Sequence, residues 1–557
     1  MSKIASAAKE IRKDQKTGRV NAVENFMGGV SYEINPIDTL KMVTASSIFG
    51  EPQYYRDGAF AQKGLQDGYY ELDPLFAPYS VLDQDVVKNN TKTSELMERV
   101  IDAALDYDFG ATIRWAAVLR KEYYMRLNPQ VIMVRAATHP NRVKFNEQNP
   151  GVFSQINSEV MSRGDEPASQ FAYYLYKNGS KKNVPNLLKR NWASKLESLT
   201  PYEIHKYKST GLGIIDVVRV SHANSSLIDE LMSNGNIQVS DEDNTWETMR
   251  AAGKSWKEIY GSVKMGHMAL LRNMRGMFKE IDDIEFAKTV MENLKAGVLH
   301  GKQFPFRYYS AMNAIAKSAS DLHHVSLLLD TLEECIDIAC DNMPKLKGKT
   351  MCLSDNSGSA WGCFDSEYGS VTVAEIDNLS SVITARNSDE GYVGKFGDKL
   401  KVFPIMKKQG VLSQSAGISK NRSDDIGGST ENGIWIFFRD AIDNKEHWDN
   451  IFIYSDQQAG HGGLYGTSAG KREYSSRNFN VPHSYGSDYI DVAKLIDEYR
   501  RTVNPKVNVF SVQTAGYDNV VIPEYGYRTN ILYGWTGKEL SFASEMIKFW
   551  DSKEANN

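Results

Sequence analysis

Asp355, Ser357 and Ser359 stand at alternate positions just after an apolar run, in the stretch MCLSDNSGS. A strand that ends in a tight loop can aim one carboxylate and two hydroxyls at a single point. Oxygen donors of this kind suit a hard divalent cation, Mg²⁺ or Mn²⁺. Neutral hydroxyls leave the ion most of its charge, so an open position would draw in an acidic group from a partner. Two later loops could complete the set. IGGST offers Ser429 or Thr430 on a Gly-rich loop, and Asp456 follows the apolar run IFIYS, reaching the ion directly or through a water. The plainer alternative is a turn with an N-cap, which Ser and Asp commonly supply. The preceding strand and the two matching loops favour the cation site.

A second chemistry lies in the cations. Between Lys177 and His222 there are nine Lys/Arg, Lys206, Lys208 and Arg219 among them, against three acids. Tyr174, Tyr176, Trp192, Tyr202 and Tyr207 interleave with them. Cations neutralise phosphates, and aromatic rings offer stacking faces to unpaired bases. Further on, GHMALLRNMRG puts Arg272 and Arg275 three apart, on one face of a helix, where His267 and Asn273 could join them. Arg114, Arg120, Lys121, Arg126 and Arg135 enrich an earlier stretch, where ordinary ion pairing explains them as well as phosphate contact does.

Two kinds of element must position these groups. Before Gly348 strands are hard to find. Apolar residues recur at spacings of three and four in Leu96–Arg120, Leu227–Met232, Ala269–Met277 and Ile315–Ile338, which predicts amphipathic helices joined by short loops. A row of them suggests a solenoid of paired helices with degenerate repeats. After Gly348, the short apolar runs Met351–Leu353, Val402–Ile405, Ile451–Tyr454 and Val507–Val512 alternate with helical patterns over Val371–Ala385, Ile434–Ile442 and Tyr489–Val503. Strand alternating with helix predicts a doubly wound, mainly parallel sheet, whose sites lie at the carboxyl ends of its strands. DxSxS, GGST and the later Asp456 in this setting resemble a von Willebrand factor A domain. That resemblance implies Mg²⁺ at a metal-ion-dependent adhesion site, and ligand binding rather than catalysis.

The order of several motifs resembles the Ro autoantigen family, whose helical part is the TROVE module. They are NFMGGVSYEINPIDTLKMVTAS, KYKSTGLGIIDVVRVSHAN, GHMALLRNMRG, GKQFPFRYYSAMNAIAKS, the DNSGS stretch and FSVQTAGYDNVVIPEYGYRTNILYGWTGKELSF. Together they cover nearly the whole chain. The resemblance implies an α plus α/β architecture: a ring of HEAT-like helices followed by the A domain. On it, residues 1–20 are an N-terminal tail, 21–345 the RNA-binding helical module and 346–552 the A domain. Structured small Y RNAs would bind the outer surface, and single-stranded 3′ ends of defective RNAs would enter the ring. Lys206, Lys208 and His222 sit where family members contact Y RNA, with Arg219 beside them. Ser209 and Thr210 stand where the family usually has another basic residue. Arg272 and Asn273 match the family's LLRN stretch.

The 557 residues carry a formal net charge of −5, which excludes a uniformly basic coat or histone-like binder. Residues 346–557 hold 23 Lys/Arg against 27 Asp/Glu, leaving 42 against 43 before them, so any basic surface must be local. Cys335, Cys340, Cys352 and Cys363 form no CxxC pair and have no His at zinc-finger spacing. Reduced thiols are expected. A polar N-terminus and the lack of any long apolar run predict no membrane and a cytoplasmic setting. GTSAG at 466–470 lacks the strand–turn–helix context of a nucleophile elbow, and GKT at 348–350 lacks the upstream glycine of a phosphate loop. The expectation is therefore a non-enzymatic RNA-binding scaffold acting in RNA quality control or maturation, with a ribonuclease or RNA ligase as a possible partner. Its rival is a metal-dependent protein-interaction module with no RNA function. A metal-using hydrolase would need a second acidic cluster and a placed general base, and neither is visible.

Overall fold

The computed structural model describes residues 93–207, 212–237, 245–358, 360–361, 365–366, 369–427, 433–455, 480–482, 488–490, 492–514, 528–533 and 539–555, with short stretches before residue 45. The chain divides into two compact units.

The unit made of Pro36–Gly50 and Met97–Asp282 is helical. Its helices are α1 (Thr93–Tyr107), α2 (Phe109–Lys121), α3 (Leu127–Thr138), α4 (Arg142–Gln148), α5 (Val152–Val160), α6 (Glu166–Asn178), α7 (Asn186–Glu197), α8 (Pro201–Tyr207), α9 (Ile214–Ser221), α10 (Ser226–Asn234), α11 (Trp246–Ala251), α12 (Trp256–Ser262) and α13 (His267–Glu280). The periodic stretch Leu96–Arg120 is thus two helices. Asp108 breaks it: its backbone is extended and its side chain caps α2 by accepting the Ala111 N–H at 2.8 Å. Helix α2 packs on α3 and α5, α3 on α6, and both α6 and α7 on α9. Buried amides tie four of these helices together. Gln170 of α6 accepts from the Trp192 indole of α7 at 2.8 Å and donates to Asn157 of α5 at 2.7 Å and Gln130 of α3 at 2.8 Å. A satisfied polar network of this kind fixes the register of neighbouring helices.

The other unit contains α14 (Ile284–Gly301), α15 (Pro305–Ala316), α16 (Val325–Asp341) and a six-stranded sheet. Helices α14 and α15 pack on α16. The stretch expected as one helical module over 21–345 is therefore shared between the two units. The sheet is built from β1 (Leu346–Asp355), β2 (Ser388–Phe396), β3 (Leu400–Pro404), β4 (Asn450–Ser455), β5 (Asn508–Gln513) and β6 (Thr529–Tyr533), in the order β6-β5-β4-β1-β2-β3. All neighbours run parallel except β2 and β3. Helices α17 (Val373–Arg386), α18 (Val411–Ser419), α19 (Gly433–Asp443), α20 (Val492–Thr502) and α21 (Glu539–Ala555) follow in the same unit. Thr384 of α17 shares a 2.6 Å hydrogen bond with the Tyr454 hydroxyl, so α17 covers the face bearing Cys352, Ser354, Phe452 and Tyr454. Helix α19 lies over the opposite face, where Gly433 abuts the Phe396 side chain. Asp337 of α16 pairs with Arg386 of α17 at 2.9 Å, fastening the three-helix group to this layer.

Several sequence expectations change here. Two strands were not expected, β2 and β6. A short antiparallel pair, Ala22–Glu24 with Val30–Tyr32, precedes the helices. Tyr489, expected in a helix, lies in the strand Asp488–Ile490, which pairs with Asn480–Pro482. GKT at 348–350 is inside β1, so it is not a phosphate loop. Cys335, Cys340 and Cys352 are buried free thiols; Cys363, the GTSAG stretch and residues 1–20 lie outside the described residues. Among the described residues no helix is long and apolar enough to cross a membrane.

Candidate metal centre and nucleic-acid interface

The chain runs β1, β2, β3 outward on one side of the sheet, then returns to β4 on the other side of β1. The crevice at the carboxyl ends of β1 and β4 is therefore the topological switch point, the usual ligand site of an open α/β sheet. Asp355 ends β1 and Ser455 ends β4. The parallel register sets Ser354 beside Tyr454, so the two ends meet. Asp355 is fully buried. Its carboxylate accepts the Ser455 hydroxyl at 2.6 Å and the Ser357 N–H at 2.9 Å. Burial pushes this carboxyl above its usual range, against the pull of the hydrogen bonds from Ser455 and Ser357.

Among the described residues this buried carboxylate is held by neutral donors, which do not supply the positive charge that would offset its desolvation. The donors around it are hard oxygens. That is the environment a Mg²⁺-class cation would complete, so the described residues fit such an ion. No cluster of three or more His, Cys, Asp or Glu side chains suited to a metal occurs among the described residues. An ion held by the described groups would rest on one carboxylate and hydroxyls. Ser359, Ser429, Thr430 and Asp456, the remaining candidate ligands, lie outside the described residues.

A buried polar network holds the DNSGS loop in place. Asn356 N–H donates to the Phe396 carbonyl at 2.9 Å. Its side chain donates to Asn378 Oδ1 at 2.8 Å, and Asn378 donates back to Asn356 at 3.0 Å and on to the Ser419 hydroxyl at 2.9 Å. Ser354 completes the group by donating to Asn378 at 2.7 Å. Neither Asn378 nor Ser455 belonged to a motif; three-dimensional register alone brings them to the site. We expect Asn378→Ala to leave buried partners unsatisfied, destabilising the fold by about 1–3 kcal/mol in denaturant titration.

On the helical unit, Lys206 of α8 stands 5.3 Å from the Tyr202 ring and 5.7 Å from the Tyr207 ring, and donates to the Tyr202 hydroxyl at 3.3 Å. Arg163, which carried no signal in the sequence, lies 5.2 Å from the Tyr207 ring. Tyr202 is 40% exposed. Lys208, four residues of sequence with its neighbours to 211, lies outside the described residues. Arg219 is exposed on α9 and only 4.0 Å from Asp216 at best. His222 is exposed, in the left-handed region at φ 58°, where it caps α9 through its own N–H to Val218. Arg272 and Arg275 are exposed on α13, and neither forms an ion pair among the described residues. Asn273 turns back to the Ala269 carbonyl at 2.9 Å. The earlier cations are ion-paired instead: Arg120 with Glu166 at 2.9 Å, Lys121 with Glu159 at 2.8 Å, Arg126 with Asp165 at 2.7 Å and Arg135 with Asp102 and Glu98.

Residues 240–350 match the TROVE domain. The fold is similar to that in the crystal structure of the Deinococcus radiodurans RO (RSR) protein, with a TM-score of 0.55 and 14% identity, covering 80% of this chain and 93% of that one. No curated protein matches the chain by sequence. The chain thus carries a stretch that matches the TROVE domain and has a fold similar to that of a Ro protein.

Proposed function

We propose that this chain is an RNA-binding scaffold. Its helical unit would hold phosphates and bases, and its sheet unit would hold a divalent cation through which a protein partner docks. The observation that carries the RNA reading is the Lys206 stack. A half-buried lysine with no carboxylate partner among the described residues has its ammonium near two tyrosine rings, one of them open to solvent. Phosphate neutralisation and base stacking need those two groups side by side. Arg272 and Arg275, exposed and unpaired among the described residues, offer a second cationic face for single-stranded 3′ ends. The RNA is proposed to be a small structured RNA of the Y type. The role is proposed to be quality control or maturation of non-coding RNA, with a ribonuclease or RNA ligase as the protein partner.

Filter binding tests this reading. The ligand is an RNA hairpin with a single-stranded 3′ tail, compared with duplex DNA of equal length. If some six phosphates are neutralised, the RNA association constant should fall roughly a thousandfold between about 50 and 200 mM salt. No salt dependence, or equal affinity for duplex DNA, would overturn it. A metal-dependent interaction module without RNA function is the second reading, favoured by the buried Asp355–Ser455 pair. On that reading the purified protein carries no nucleic-acid absorbance and binds neither probe.

A further inference from the structure

The loop after α18, residues 420–427, is held against the DNSGS loop by more than a surface turn needs. Asn421 and Arg422 both lie in the left-handed region, at φ 67° and φ 44°. Successive non-glycine residues there are strained, and such strain persists only where the surroundings impose it. Three things impose it here. Lys395, fully buried in β2, donates upward to the Lys420 carbonyl at 3.0 Å and to Asp425 at 2.7 Å. Gly427 and Ile426 close the far side through N–H bonds to the Ser423 carbonyl at 2.7 and 3.1 Å. Ser419, at the near side, joins the Asn378–Asn356 network that fixes the candidate metal loop.

The result is an exposed guanidinium in a set position. Arg422 lies 5.6 Å from the Trp361 ring. Trp361 packs on Ala360, Val373 and Ala374, and its backbone N–H donates to the Ser357 carbonyl at 3.3 Å, so one backbone hydrogen bond ties it to the turn that follows Asp355. Arg422 has no ion-pair partner among the described residues. Through Trp361 the guanidinium is linked to the turn that carries Ser357, and a fixed cation there favours an anion. Its planar fork matches a carboxylate in bidentate fashion. Arg422 already occupies a face of Trp361, which disfavours stacking of a nucleobase there.

Resting on the metal reading above, we propose that Arg422 is the specificity-determining residue of the sheet unit. It selects a protein partner that presents an aspartate or glutamate side chain at the DNSGS loop, and Trp361 and the strained loop hold it for that purpose.

The test uses the full chain, immobilised, and a phage-displayed library of random dodecapeptides with Mg²⁺ present. Wild-type protein should enrich peptides with a central Asp or Glu. Binding of the best such peptide, followed by fluorescence anisotropy, should need Mg²⁺ and Asp355. It should weaken roughly tenfold in both Arg422→Ala and Arg422→Gly. Arg422→Gly should melt above Arg422→Ala by roughly 2–4 °C, because glycine relieves the backbone strain while both variants lose the side chain. If acidic peptides bind in a manner dependent on Mg²⁺ and Asp355 but indifferent to Arg422, this inference falls and the metal reading stands. If no peptide needs Mg²⁺ or Asp355, the metal reading falls and takes this inference with it. Displacement of the peptide by a short oligoribonucleotide, with the loss tracking Arg422, would overturn the choice of a protein partner.

Discussion

Asp355→Asn should abolish divalent-cation binding to the sheet unit while leaving the fold intact. Isothermal titration of Mg²⁺ or Mn²⁺ into the full chain is the measurement. Losing a group that only supports a ligand typically costs 10–100-fold in metal affinity, and Ser455→Ala should fall roughly in that range. Losing the carboxylate itself should exceed it, because the hydroxyls around it are neutral. The stability readout has a sign of its own. In chelator, the wild-type protein buries Asp355 completely, with only neutral donors of Ser455 and Ser357 against it among the described residues. Asparagine is nearly isosteric and carries no charge. Its oxygen can keep the Ser357 N–H, and the Ser455 hydroxyl can rotate to accept from its NH₂. The variant should therefore be at least as stable as wild type in chelator. Saturating Mg²⁺, at about a hundred times its Kd, should stabilise the wild type by about 2.7 kcal/mol and the variant not at all. A variant that binds Mg²⁺ as tightly as wild type would remove the cation from this site. So would a wild type whose melting is indifferent to Mg²⁺.

How much of this site could be read before the fold was known depended on which residues carry a local pattern. Met351–Leu353 and Ile451–Tyr454 are continuous apolar runs because β1 and β4 are covered on both faces, so both strands and the Asp355 that ends the first were legible. β2 was not. Its sequence, SDEGYVGKF, has two acids, two glycines and a lysine, and reads as a loop. Packing explains each oddity. A Cβ on Gly391 would come within 1.9 Å of the Ala385 carbonyl, and one on Gly394 within 2.9 Å of Leu353. Lys395 is buried because its ammonium is spent on Asp425 and the Lys420 carbonyl. Ser455 and Asn378 are 100 and 23 residues from Asp355, and no spacing rule connects them; parallel register and the covering helix do. In the helical unit, composition marked the basic tract but not which cations are committed elsewhere. Arg120, Arg126 and Arg135 turned out to be paired with carboxylates, whereas Lys206, Arg272 and Arg275 are not, among the described residues.

That contrast yields the second large effect. Reversing Lys206 and Lys208 to Glu should weaken binding of a structured RNA about a hundredfold at moderate salt and lower the slope of log K against log salt by about two. A short unstructured strand should lose much less if it is held chiefly at Arg272 and Arg275. The stack makes the Lys206 half of this change specific. Placing a carboxylate beside Tyr202 and Tyr207 puts negative charge against the negative faces of both rings, so the site loses a cation and its arrangement together. Tyr202→Leu separates these terms: it should leave the salt slope unchanged and reduce affinity by roughly 1–3 kcal/mol if a base stacks there. Tyr202 is exposed and Lys206 only half-buried, so circular dichroism and the melting temperature should stay near wild type in each variant. Equal losses for the hairpin and the short strand in the double reversal would mean one shared surface. An unchanged slope would mean that neither lysine meets a phosphate.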